Sequence, residues 1–507
     1  MFLSPDVFTG PVMDWYRPKI GEASAQIITN EYMQGLFEKG LSTTGVIAVN
    51  DTTGGDSLKL QDLTKQIQTA ALQAKYHARF LHWTTKQPCF SDVIEKTLRD
   101  GYGGFRGGGF INPANASGGL TSADPSLTRE TLQVKWLGGQ YQAFRTLLAV
   151  QSLGIDRDPI TRGGMAVVSD SRLQQLMLDV DYQCLHGDPA LNAYEMQGAI
   201  SQIRVTDSGK WVCRFNMNGK PLNPNIMPDI EEILQSKGGF WTDFWWSPTA
   251  RSDFRKQLNN QVRIGTGEQV NVGVDADKFL IEGFSGDPEY AKVSLDIFLN
   301  SMWETVAIAE GPQPPPAPTS VTATPGSTTA LNYWGSYLPA GIYNYSANCV
   351  GINGRSLVTV AGSVAVPNGT QSVSVAVVLP SSINTGDVAY VEIYRGNGAT
   401  GTRSYLGRVA ANAIAASGTA TYVDNNEFMP GCTTAMALTN RNIGTAGGEI
   451  LYRQLYPTTK VVLPNNVMAE QGAWLTAGTI QVLVPQFCLV IENIGRLSSA
   501  RSLAGTG

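Results

Sequence analysis

A proline-rich break divides this chain into two kinds of sequence. Gly311-Pro312-Gln313-Pro314-Pro315-Pro316-Ala317-Pro318 places five prolines within eight residues. Each proline fixes φ and removes a backbone donor, so neither a helix nor a central strand runs through it. Such a run is a stiff extended linker. After it, charge nearly vanishes and Ser, Thr, Val, Ala and Gly dominate. Short alternating sets follow between turn signals: Val358 and Val360, Val364 and Val366, Val373, Val375 and Val377, then Tyr390, Glu392 and Tyr394. That pattern predicts a β-sandwich. From residue 448 the earlier style returns, with strands expected at 459–463 and 478–491 around Trp474. A small β domain bracketed by another domain's sequence is an insertion, read here as 312–438. Insertions survive at surface loop tips, so the domain is expected to protrude.

The host sequence reads as α+β. Residues 61–83 are expected to be helical, with Ile67, Ala71, Ala74, Ala78 and Leu81 at three- and four-residue steps. Over 165–186, Leu173, Leu176, Met177, Val180 and Cys184 share one helix face. Ser171 with Gln174 is a candidate capping box, Gly187 a stop, and His186 a favourable partial positive charge at the C-terminal end. Residues 228–259 read helix–strand–helix. Pro228 opens the first helix and Gly238 ends it; Phe240–Trp246 is a buried aromatic strand; Ser247-Pro248 caps the second helix, which carries Phe254 and Leu258.

Two stretches carry aromatic residues without a local core. Residues 1–60, punctuated by Pro5, Pro11 and Pro18, read as an arm bearing Phe8, Trp15 and Tyr16. The glycine-rich run from Gly101 to Phe110 displays Tyr102, Phe105 and Phe110. It has no Gly-x-x-x-x-Gly-Lys-Ser/Thr pattern and neither follows an apolar strand nor opens a helix, so it does not read as a nucleotide cradle. Beyond it, Leu132, Val134 and Trp136 are expected on one side of an extended segment, followed by Tyr141, and 101–163 reads as a long two-stranded excursion. Large aromatics are typical interface anchors. Phe8, Trp15, Tyr16, Tyr102, Phe105, Phe110, Trp136 and Tyr141 are therefore the candidate inter-subunit contacts.

Composition narrows the function. Charged residues are 16% of the chain, against a usual ~25%, which suits surface buried against neighbours. The net charge is −5 with no Lys/Arg run, whereas a sequence-reading DNA binder shows a basic patch. The six cysteines lie far apart with no C-x-x-C pair, so free buried thiols are expected rather than a zinc site or a disulfide framework. The start, Met1–Asp6, lacks a basic segment followed by an apolar run, so no secretory leader is expected. No run of ~18 apolar residues suggests a membrane span. Gly-x-Ser-x-Gly, His-Glu-x-x-His and the P-loop are missing, and there are three histidines. No catalytic, cofactor or metal residues are assigned. Two other readings fit parts of the sequence: a carbohydrate-active enzyme built on carboxylates and the aromatic strand, and an extracellular adhesin or surface-layer protein built on the sandwich.

The order of these pieces resembles the capsid fold first described for the coliphage Hong Kong 97. The local match is Leu176-Met177-Leu178-Asp179-Val180-Asp181-Tyr182-Gln183-Cys184-Leu185-His186-Gly187-Asp188, then Gly198-Ala199-Ile200. The resemblance implies an arm (1–60), a helix and lead-in of a peripheral domain (61–100), an extended loop (101–163), a spine helix (164–199), an axial domain (200–310) and a return to the shell domain (439–507). The 312–438 insertion resembles immunoglobulin or fibronectin type III modules, on Ala340–Tyr345, Val350–Ser356, Tyr390–Gly396 and Ala420–Asp424. The implied function is that of a major capsid protein of tailed double-stranded-DNA phages. It would assemble in the host cytoplasm as hexamers and pentamers into the virion head and enclose DNA without reading its sequence. The implied partners are a separate scaffolding protein, a portal and a cement or decoration protein. Some members cross-link through a Lys–Asn bond; Lys135 lies in the presumed loop, but no Asn partner is identified.

Overall fold

Four consecutive buried residues, Asp243–Trp246, form an inner strand of a five-stranded sheet. The computed structural model describes residues 74–99, 127–144, 164–208, 211–240, 242–259, 292–300, 314–326, 334, 338–351, 354–366, 372–384, 387–441, 449–464 and 469–497. Asp243–Trp246 pairs antiparallel with Thr433–Leu438 and parallel with Lys292–Leu295. Thr433–Leu438 lies antiparallel to Leu489–Ile494, which runs parallel to Arg214–Asn216. Side chains alternate across a pleated sheet. Trp245, Met436, Leu438 and Val490 therefore fall into one apolar cluster with the helix Gly164–His186. Phe244, Trp246, Ala435, Ala437, Leu489 and Ile491 fall into a second, with the helices Met227–Ser236 and Pro248–Asn259. A strand covered on both faces reads as an apolar run rather than an alternation, which is why three aromatics stand side by side here. Phe240, expected in the buried strand, precedes it and is 41% exposed. Thr433–Leu438 corrects the predicted boundary at 438: its small apolar residues match the insertion in composition, yet they pair inside the host sheet.

Within Gly164–His186, burial is wider than the single predicted face. Leu176, Val180 and Cys184 face the main cluster, while Leu178 packs on Ala74 and Ala78. The helix starts seven residues before Ser171, so no capping box forms there; Gln174 instead accepts the Ala74 N–H at 2.8 Å. Of the helix expected at 61–83, residues 61–73 lie outside the described residues. The remainder is two short pieces, Ala74–His77 and Arg79–Trp83, separated at Ala78.

Gly187 and Gly198 meet backbone to backbone. The Gly198 N–H donates to the Gly187 carbonyl at 2.8 Å. A Cβ on Gly198 would lie 2.7 Å from both the Gly187 nitrogen and the Leu185 carbonyl oxygen. The glycine pair noted in the sequence is thus a steric requirement: two chain segments pass with no room for a side chain.

The second host sheet is built from long strands. Its order is Thr85–Pro88, Ile450–Val462, Ala469–Val482, Lys135–Phe144. Lys135–Phe144 pairs antiparallel with the late strand, Phe144 opposite Ala469 and Lys135 opposite Gly478. This corrects two expectations. Residues 135–144 are a sheet strand rather than part of a two-stranded excursion, and 469–482 is one continuous strand containing Trp474. The excursion seen is Val93–Arg99 paired with Leu127–Gln133. Residues 448–494 also hold an extra break, because Pro485–Phe487 forms a single 3₁₀ turn before Leu489–Ile494.

Between the host strands, residues 320–424 form two further sheets over one cluster. Ser320–Pro325, Val373–Val378 and Thr419–Asp424 make one sheet. Gly341–Gly351, Tyr390–Asn397 and Ser404–Ala410, with short partners, make the other. Val373, Val375 and Val377 point into the shared cluster as the alternation predicted, as do Val364 and Val366. Val360 does not; it is 52% exposed. In Tyr390–Asn397 the core-facing residues are Val391 and Ile393, leaving Tyr390, Glu392 and Tyr394 on the opposite face, which is also covered.

Candidate assembly surfaces and the insertion junction

Of the eight aromatics expected to make inter-subunit contacts, Phe8, Trp15, Tyr16, Tyr102, Phe105 and Phe110 lie outside the described residues. Trp136 and Tyr141 occupy one strand and fall on opposite faces. Leu137 and Tyr141 are buried on the face that meets the long helix. Trp136 is 59% exposed and sits 5.5 Å, ring to ring, from Tyr456 on the other face. Tyr141 is already used within the chain: its ring fills the space a side chain on Gly472 would need, and Lys460 lies over it at 5.5 Å. Trp136 was expected on the side of Leu132 and Val134, both buried. The ladder breaks at Val134, whose N–H donates to the Asp92 carbonyl at 2.8 Å, and the alternation changes phase there.

A single break in phase therefore leaves Trp136 exposed beside the half-buried Tyr456, on a sheet face that also carries Gln140, Gln142 and Leu475. The hairpin Val93–Arg99/Leu127–Gln133 presents a second surface. Its inner face holds Lys96, which donates to the Val482 carbonyl and pairs with Glu130, both at 2.8 Å. Its outer face is exposed. Lys135 donates to Gln133 at 2.7 Å. No Asn partner for Lys135 is identified.

Among the described residues, a buried polar site joins the strands Tyr390–Asn397 and Ser404–Ala410 to the end of the long helix. Glu195 is 2% exposed. One of its oxygens accepts the Asp188 N–H at 2.8 Å and pairs with Arg408 at 2.9 Å; the other accepts the Tyr390 hydroxyl. Arg408 also donates to the His186 carbonyl at 3.1 Å, supplying a positive cap to a helix end that carries partial negative charge. Its guanidinium stands over Tyr182 at 5.4 Å and Tyr390 at 4.8 Å, the cation–π geometry on both sides. Asn192 donates to Tyr390 at 2.7 Å.

This arrangement corrects the role given to His186. Its Nε2–H donates to the Phe298 carbonyl at 2.8 Å. Burial, opposed by the bond to Phe298 and helped by the nearby Arg408 and Arg204 charges, lowers its pKa to about 4. The imidazole is neutral at pH 7, and the cation at the helix end is Arg408.

A second junction lies just after the strand Thr419–Asp424. Arg214 pairs with Glu427 at 2.9 Å and with the buried Glu492 at 2.8 Å, while Arg204 bonds the other Glu492 oxygen. Trp334 and Phe428 cover the two guanidinium groups, each at 4.9 Å. Asn493 accepts the Met429 N–H at 2.8 Å and donates to the Glu427 carbonyl at 3.0 Å. All six cysteines are unpaired, and Cys184, Cys213, Cys349 and Cys488 are buried.

Sequence reasoning did not find these junctions. One signal was present: Glu392 and Tyr394, beside the half-buried Tyr390, and the neighbouring Asn344, Ser346 and Asn348 alternate with apolar residues yet are buried. Aromatic and hydrogen-bonding residues on an outer face, with Glu392 the one charged residue of its strand there, fit a surface covered by other protein.

No protein-family model and no curated protein matches the chain. Among solved structures, the chain is similar to the capsid of a native GTA particle, at 10% identity and a TM-score of 0.42, covering 89% of this chain and 99% of that one. It is similar to the cyanophage A-1(L) capsid at 8% identity and a TM-score of 0.42, covering 87% and 98%. It is also similar to the SrpI encapsulin of Synechococcus elongatus PCC 7942 at 8% identity and a TM-score of 0.33, covering 87% and 95%.

Proposed function

We propose that this chain is a structural shell subunit, the major capsid protein of a tailed double-stranded-DNA phage, carrying an immunoglobulin-like insertion. The observation that carries the reading is the order and pairing of the host elements. A two-stranded excursion leads into a long-stranded sheet, the long helix lies across that sheet, and a second sheet is completed by the chain's late strands. That is the order on which the sequence resemblance rests.

The physical logic is that of assembly. A closed shell forms rings of five and six from one subunit through heterologous contacts. A body with a packed core supplies the ring, and surfaces such as the hairpin's outer face and the Trp136–Tyr456 pair supply contact area. Each contact can be modest, because ~1.4 kcal/mol is only tenfold in affinity, and closure multiplies many weak contacts. A net charge of −5 suits a wall that encloses DNA without adhering to it. On this reading the insertion stands on the outer surface, and scaffolding, portal and decoration proteins are the further partners.

The test is negative-stain electron microscopy with light scattering on the chain expressed alone and with its neighbouring genes. Closed polyhedral shells, or rings of five and six, are expected. A monodisperse monomer in both preparations overturns the proposal.

A further inference from the structure

Two acids meet in the interior of the host domain without a counter-charge bonded to either. Asp181, on the long helix, and Asp296, after the strand Lys292–Leu295, are 0% and 1% exposed. Their carboxyl groups lie within hydrogen-bonding reach of each other. The Oδ1 of Asp181 accepts the Leu81 N–H at 2.6 Å, and the Oδ1 of Asp296 accepts the Phe298 N–H at 2.8 Å. Neither Oδ2 makes a well-formed hydrogen bond to a donor among the described residues, although the Phe80 N–H lies near enough to act on Asp296. Around the pair stand Arg79, whose charge acts on Asp296; His77, which shares a small cavity with Arg79, Leu295 and Ile297; and Cys184, within one turn of Asp181 on the long helix.

Two carboxylates so placed repel each other, and each is stripped of water. One proton changes the arrangement. An O–H donated from one Oδ2 to the other replaces repulsion with a short charge-assisted hydrogen bond and gives both orphan oxygens a partner. The pair also ties three elements together: the long helix, the Arg79–Trp83 helix through Leu81, and the 3₁₀ turn Ile297–Leu299 through Phe298. We infer that Asp181 and Asp296 share one proton and form a pH-sensitive latch holding the Ala74–Trp83 segment against the long helix.

The sign follows from linkage. Burial, and for Asp181 the charge of Asp296, raise both carboxyls above the ordinary range. In the undocked chain both acids titrate at about 4. The folded pair keeps protons that the open chain has lost, so the docked state weakens as pH rises above about 4. The weakening ends once the last shared proton has left.

The test compares the full chain with Asp296→Asn and Asp181→Asn, following urea unfolding between pH 5 and 8. An amide can donate where the proton stood, so the stability of each variant relative to the parent is expected to grow as pH rises, by up to tenfold in the unfolding constant per pH unit. Parallel pH curves for parent and variants overturn the latch. Infrared spectra of the parent provide a measurement that needs no variant: a protonated-carboxyl band present at pH 7 in the folded chain and lost on unfolding is expected, and its absence overturns the shared proton.

Discussion

Replacing Arg408 with alanine tests whether the strand Ser404–Ala410 is clamped to the end of the long helix. Arg408 is 11% exposed at its side chain and Glu195 2%, so the pair is a buried one. Removing one partner of a buried pair leaves the other charge uncompensated, at ~3–5 kcal/mol. Glu195 keeps two donors, the Asp188 N–H and the Tyr390 hydroxyl, so the low end applies, about 3 kcal/mol. Glu195→Gln keeps the shape and leaves Arg408 its carbonyl and two rings; losing the charged partner costs about 1–2 kcal/mol. The double variant no longer buries a lone charge and is expected to fall at least about 1 kcal/mol short of the sum. Urea unfolding of the unassembled parent, both single variants and the double variant gives the cycle directly. A single-variant loss under about 1 kcal/mol, the value of an exposed pair, or additive losses, refutes the clamp.

Three further outcomes follow from the same geometry. Gly198→Ala forces a Cβ against the Gly187 backbone and is expected to cost about 1–3 kcal/mol, read as a lowered thermal midpoint; an unchanged midpoint contradicts the close approach. Tyr141→Ala is expected to lose about 3–5 kcal/mol of stability. Trp136→Ser is expected to shift it by no more than about 1 kcal/mol while reducing light scattering from assembled particles, and equal effects of the two on stability contradict their placement on opposite faces. His186 takes up its proton near pH 6.5 when unfolded but only at about 4 when folded. Its contribution is therefore complete above 6.5 and lost as pH falls, by at most about 3 kcal/mol. His186→Gln is expected to flatten that acid limb of the urea midpoint, and an unchanged limb assigns it to other groups.

The helix Gly164–His186 and the helix–strand–helix of 227–259 were legible because their signals are local: apolar residues at helical steps, proline at a first turn, glycine after a last one. The composition break at 311–318 and the return of host-like sequence were legible for the same reason. So were the inward valines at 373–377, since period two within one strand requires no knowledge of its neighbour. Thr433–Leu438 shows where this ends. Its composition matches the insertion, and only its pairing with Phe244 and Val490 assigns it to the host sheet.

By itself the sequence determined the helices at 164–186 and 227–259, the inward valines at 373–377 and the change of composition at 311–318. Tertiary structure alone decided how those segments pair and what their outer faces meet. Backbone hydrogen bonds in a sheet are indifferent to side-chain identity, so nothing in 135–144 names 469–482 as its partner. A one-residue break at Val134 was enough to put Trp136 outside and Tyr141 inside. The charged groups obey the same rule. Arg408 and Glu195 are 213 residues apart, and their charges balance only because folding removes both from water at one place.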